Sequence, residues 1–127
     1  MIAVIKRIII LSLVLPDFKT LGSFYGQNNL FTGSIPSLFT MRFFNVSNNI
    51  LSGSIAPLLS SLISFSISNN NFTGPLPNIP YTLSVLSIGP GNQLSGHVAL
   101  YNPSIVDLRD NLIYSVSIQF TNIHKQL

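Results

Sequence analysis

Apolar residues in this chain follow one short pattern that returns again and again. The order is apolar-x-x-apolar-x-apolar, and it is met at Met41, Phe44 and Val46, at Leu62, Phe65 and Ile67, and at Leu83, Leu86 and Ile88. Leu21, Phe24 and Gly26 hold the same slots earlier, and Pro103, Val106 and Leu108 hold them later. The x-apolar-x-apolar-x stretch has the period of two that marks a short strand, with apolar side chains turned to one face. Strands that recur at a constant interval predict coils stacked in parallel, about 4.8 Å apart.

The polar positions keep the same register. An Asn follows each strand, at Asn29, Asn49, Asn70, Asn92 and Asn111, with spacings of 20, 21, 22 and 19 residues. The fourth repeat is the longest and contains Gly89-Pro90-Gly91. An apolar residue comes two positions after each Asn (Phe31, Leu51, Phe72, Leu94, Ile113), and Gly33, Gly53, Gly74 and Gly96 come four positions after the first four. Ile35, Ile55, Leu76 and Val98 come at six. The Asn column reads as internal glue: where a narrow coil turns, an amide offers two donors and an acceptor to backbone groups left without partners. The glycines read as turn residues.

Written out, the repeat is LxxLxLxxNxLxGxIP, and it resembles the leucine-rich repeat family in its plant-like SGxIP style over roughly residues 15–114. The resemblance implies a leucine-rich-repeat solenoid, with short parallel β-strands on one face and returns on the other. The repeats here run mostly 20–21 residues, against the roughly 24 usual in the plant-like form. The missing residues fall in the return, so an extended or 3-10 return is expected in place of a helix. The chain divides into an apolar leader at 1–15, a solenoid of about five coils at 16–114, and a degenerate terminal strand or tail at 115–127. The leader has two readings, a signal-like segment built on Lys6-Arg7 and Ile8–Leu15, or the remnant of an earlier coil.

Composition narrows the chemistry. Only 7% of the 127 residues are charged, and the formal net charge is +3, from six scattered Lys and Arg. That density is too low for a nucleic-acid-binding stripe. There is no cysteine, so no disulfide, thiolate metal site or cysteine nucleophile. No cofactor or metal site is expected, and no catalytic residue. Asp107, Arg109 and Asp110 form the one charge cluster, with no partner base beside them. His97 and His124 read as ordinary surface histidines.

If the chain recognises something, the outward strand positions are where it does so. The register exposes Tyr25, Phe43, Asn45, Val85, Ile105, Asp107 and Arg109 as candidate binding residues. Phe43, Val85 and Ile105 share one column, interrupted by Ser64, and Tyr25 begins the next. Asn45-Val46-Ser47 and Asn71-Phe72-Thr73 are glycosylation sequons. The resemblance then implies a non-catalytic interaction module, extracellular or at the cell surface. Its partners would be a protein, a peptide or a glycan, with further repeats or self-association at uncapped ends. The competing reading is a fragment of a larger leucine-rich-repeat receptor-like protein with no independent activity.

Overall fold

The computed structural model describes residues 1–6 and 13–120. It is a parallel β-solenoid of about six turns, with no helix among the described residues. Each turn contributes one strand to each of two six-stranded sheets. The first sheet stacks β1 (Ile2–Val4), β3 (Ser23–Tyr25), β5 (Phe43–Asn45), β7 (Ser64–Ser66), β9 (Val85–Ser87) and β11 (Ile105–Asp107). The second stacks β2 (Leu13–Val14), β4 (Phe31–Gly33), β6 (Ile50–Gly53), β8 (Asn71–Pro75), β10 (Gln93–Tyr101) and β12 (Leu112–Gln119).

The second sheet replaces what the sequence suggests is a turn. The Asn-x-apolar-x-Gly stretch carries one inward side chain between polar neighbours, and that suffices for a strand when a coil lies alongside. Gly33 and Gly53 close their strands, and Gly74 and Gly96 lie within theirs. All four have φ between +82° and +107°. The chain thus bends within the second sheet, where the sequence places a turn.

β1 pairs with β3, and β2 with β4, so residues 2–4 and 13–14 belong to a first coil. Residues 7–12 of the expected leader lie outside the described residues, as do 121–127 of the expected tail. The boundary expected between 114 and 115 falls inside β12.

The core follows the repeat slots. Met41, Phe44 and Val46 are at most 1% exposed, and so are Leu62, Phe65 and Ile67. Phe24, Phe44 and Phe65 share one slot, and their rings stack with centroids 5.9 Å apart at each step. That stack explains Gly26, which stands where the later coils put Val, Ile or Leu. A Cβ there would lie 2.6 Å from the Phe24 ring and 3.0 Å from the Phe31 ring, so the aromatic pair already fills its place.

A hydroxyl series joins the coils at the corner before β5, β7 and β9. Thr40 Oγ1 donates to the Leu21 carbonyl (2.9 Å), Ser61 Oγ to Met41 (3.0 Å) and Thr82 Oγ1 to Leu62 (2.8 Å). Each hydroxyl sits one residue before the first apolar slot and reaches back to that slot's carbonyl in the preceding coil.

Candidate functional site

The first sheet turns one side to the core and the other outward. Its pairing runs Ser23, Phe43, Ser64, Val85, Ile105 in one column and Tyr25, Asn45, Ser66, Ser87, Asp107 in the next. The structure therefore sets Phe43, Val85 and Ile105 in line with Ser64 between them, and Tyr25 beside Asn45. Tyr25, Phe43, Asn45, Val85 and Asp107 are half-buried by their neighbours, while Ile105 is exposed. Ser23, outward by alternation, is buried. The Arg42 guanidinium stands 6.0 Å from the centre of the Phe43 ring, which puts a cation at the edge of this face.

Arg109 folds back on Asp107 in a bidentate pair, with Nε to Oδ1 at 2.9 Å and Nη2 to Oδ2 at 2.7 Å. The Arg109 amide also donates to Asp107 Oδ1 at 3.1 Å. The side-chain hydrogen bond from Arg109 holds the Asp107 carboxyl below its ordinary pKa, against a smaller opposing effect of burial. The two residues present a closed polar unit at the last coil, with Asp110 next to it in sequence.

Behind the face, the Asn column binds coil to coil. Asn70 Nδ2 donates to the carbonyls of Val46 (2.9 Å), Ile67 (3.1 Å) and Ser68 (3.2 Å), and its Oδ1 accepts from the Leu51 amide (2.9 Å). Asn49 does the same with Gly26, Val46 and Ser47 carbonyls and the Phe31 amide. Asn92 takes Ile67 and Ile88 carbonyls and the Phe72 amide, and Asn111 takes Ile88 and Arg109 carbonyls and the Leu94 amide. Asn29 donates to Ile5, Gly26 and Gln27. Their amides are spent on backbone groups inside the stack, a geometry that leaves little for an external ligand.

A second Asn column, not expected from the repeat pattern, lies outside the first. Asn28, Asn48 and Asn69 all have positive φ, between 53° and 60°. Asn48 Nδ2 donates to Asn28 Oδ1 (2.8 Å), and Asn69 Nδ2 to Asn48 Oδ1 (2.7 Å). The series stops at Gly91, where a Cβ would stand 2.6 Å from Asn69 Oδ1. The doubled Asn-Asn of the repeats is the signal: the first member takes the left-handed backbone, which Asn tolerates better than most residues, and the second points inward.

Of the two sequons, Asn71 is exposed at the start of β8. Asn45 is half-buried in β5, and its Oδ1 accepts from the Ser47 amide (3.0 Å). His97 lies on β10 in the second sheet, and His124 lies outside the described residues. No group of three or more metal-ligating side chains occurs among the described residues.

Comparison with known proteins gives one short likeness. A rice (Oryza sativa subsp. japonica) protein described as receptor protein kinase WSS1 is 48% identical over 56 residues, covering 40% of this chain. The chain spans about 6% of the length of that relative. No family model matches the chain. No solved structure matches it either. The short likeness and the solenoid are compatible with a repeat protein of leucine-rich type and with a receptor-type region.

Proposed function

We propose that this chain is a non-catalytic leucine-rich-repeat recognition segment of a receptor-like protein, which binds a protein or peptide partner on the outward face of its first sheet. The observation that carries the reading is the in-register face itself: Phe43 and Val85 in one column, Tyr25 and Asn45 in the next, on strands held at fixed spacing. Half-buried aromatics on a rigid sheet lose little side-chain entropy on contact, which suits them to anchor a partner. The likeness to a receptor protein kinase supports the receptor-like setting and, with it, an extracellular or cell-surface location. Asn71 is the better placed of the two glycan acceptors, because a glycan on Asn45 would stand on the face.

The second reading is a piece of a longer solenoid without binding activity of its own. It is favoured by the exposure of Val106 (37%), Val116 (45%) and Ile118 (49%), which would be core residues under one more coil. One experiment separates the two. An array of secreted plant proteins and peptides is probed with the wild-type chain and with Tyr25→Ala/Phe43→Ala. The expected outcome is a bound subset whose affinity falls at least about tenfold in the variant, since anchor residues carry about 1.4 kcal/mol or more each. An unchanged melting temperature must accompany the loss. A bound subset indifferent to both substitutions would overturn the face as the site.

A further inference from the structure

The second sheet contains a vacated lane. β8 pairs with β10 only at Thr73–Pro75, opposite Gln93–Ser95, followed by one bond from the Leu76 amide to the Ser95 carbonyl (3.0 Å). Beyond it the preceding coil carries Pro77 and Pro80, which have no N–H to give, and it leaves the sheet. β10 runs on to Tyr101, paired with β12 on its other side. Between the two lies a cleft of about 320 Å³, walled by Pro77–Tyr81 on one side and His97, Ala99 and Tyr101 on the other.

Strand alternation fixes what this edge presents. Ser95 turns its carbonyl to β8, and the Asn102 amide turns to Gln119 on β12 (2.9 Å). The register shift lies on the β12 side, where Tyr114 is skipped, so the alternation of β10 is unbroken. His97, Ala99 and Tyr101 therefore turn their backbone N–H and C=O into the lane, where no strand among the described residues meets them. Val98 and Leu100 are core residues, so the side chains of 97, 99 and 101 stand on the outer face. The His97 ring is drawn aside onto β12 by Ser115 Oγ (2.6 Å), and Ala99 leaves a gap beside it. Tyr81 and Tyr101 close the far end with ring centroids 4.6 Å apart.

We infer that this lane docks an extended, uncharged peptide segment, which adds to the second sheet as a strand along His97–Tyr101. A row of donors and acceptors at strand spacing is matched by another polypeptide backbone. The edge from His97 to Tyr101 spans about 13 Å, the reach of a short extended segment. The lining carries no formally charged side chain, so a charged residue entering it would lose hydration without gaining a counter-charge. The two tyrosines and two prolines suit apolar, aromatic or proline side chains. The site is on the second sheet and does not rest on the first-sheet face.

The test uses the whole chain, isotopically labelled, with blocked pentapeptides of Val, Tyr and Pro as probes. Their counterparts N-methylated at alternate amides and the sugar maltopentaose serve as comparisons. In the free chain the amides of His97, Ala99 and Tyr101 should exchange rapidly with solvent. A saturating peptide should slow them at least about tenfold, the change expected when an open backbone N–H gains a strand partner. Tyr81→Ala, at a side chain already 74% exposed, should keep the fold and weaken the peptide about three- to tenfold. N-methylation should abolish the protection, and Tyr25→Ala/Phe43→Ala should leave it unchanged. The inference is overturned if those amides are already protected in the free chain, or if no pentapeptide binds at millimolar concentration. Binding of the N-methylated probe as tightly as the parent would also overturn it, as would binding of maltopentaose in place of the peptides.

Discussion

The two sheets are built from the same coils, yet only one of them is uniform. Every strand of the first sheet is three residues long. Those of the second grow from two residues in β2 to nine in β10. The first sheet is pinned on both sides at β5, β7 and β9: a hydroxyl tie precedes each strand and an Asn amide follows it, and the slots between hold large side chains. The second is pinned only at its entry, where an amide such as that of Leu51 meets the Asn of the next coil. After that point its length depends on where glycine and proline release the chain. A repeat can thus fix one sheet by register and leave the other free to vary, and the variation is where the cleft arises.

Substitutions at three positions sharpen or break this contrast. The largest effect is expected at Asn70, which ties both sheets. Asn70→Ala should lower stability by about 1–3 kcal/mol, because three carbonyls and one amide lose their partner in a dry site. Urea unfolding gives the magnitude, and hydrogen exchange should quicken at Leu51 in the second sheet. If only first-sheet amides loosened, the amide would not be the shared pin. An intermediate effect is expected on the outer column. Asn48→Ala should cost about 1 kcal/mol for placing an ordinary side chain at φ 59°. Asn48→Gly should cost less than Asn48→Ala, because glycine adopts this backbone without strain. A reversed order in thermal melts would show that the exposed side-chain bonds, and not the backbone, set the cost.

The smallest effect belongs to Asp107 and Arg109, at the last strand of the first sheet. The Asp107 carboxyl titrates below its ordinary value, so the pair's contribution is complete above about pH 4. It fades as the pH falls through the lowered pKa. With the guanidinium side chain 72% exposed, the pair should be weak and screened by salt. Melting curves between pH 6 and pH 2 should therefore show a slight extra acid sensitivity in the wild type over Asp107→Asn, erased in 0.5 M salt. A large difference would mean that this corner is a fastening point after all.

The solenoid is legible in the sequence because its core slots are fixed by period: Phe44, Phe65 and Leu86 announce their column before any coordinates do. The columns of the outward face follow from the same count. The second sheet is harder to see, since Phe31–Gly33 or Ile50–Gly53 holds one buried side chain and ends in glycine, which in isolation describes a turn. The strand emerges only when neighbouring coils supply its hydrogen bonds. Thr40, Ser61 and Thr82 escape notice for a related reason, as their carbonyl partners lie a full coil away. The burial of Ser23 and the cleft beside β10 depend on packing and on unequal strand lengths, which no single repeat encodes.

The Asn column also has a direction. From Asn49 to Asn111, the bonds that join one coil to another through it connect described residues 17 to 25 positions apart, and the Asn belongs to the later coil. As the chain leaves the ribosome, each new coil therefore brings its own fastener to a neighbour that is already complete. None of these bonds has to wait for a distant part of the sequence, so the order of synthesis can serve as the order of assembly. Such a chain can accumulate structure in steps of about one repeat while translation is still under way.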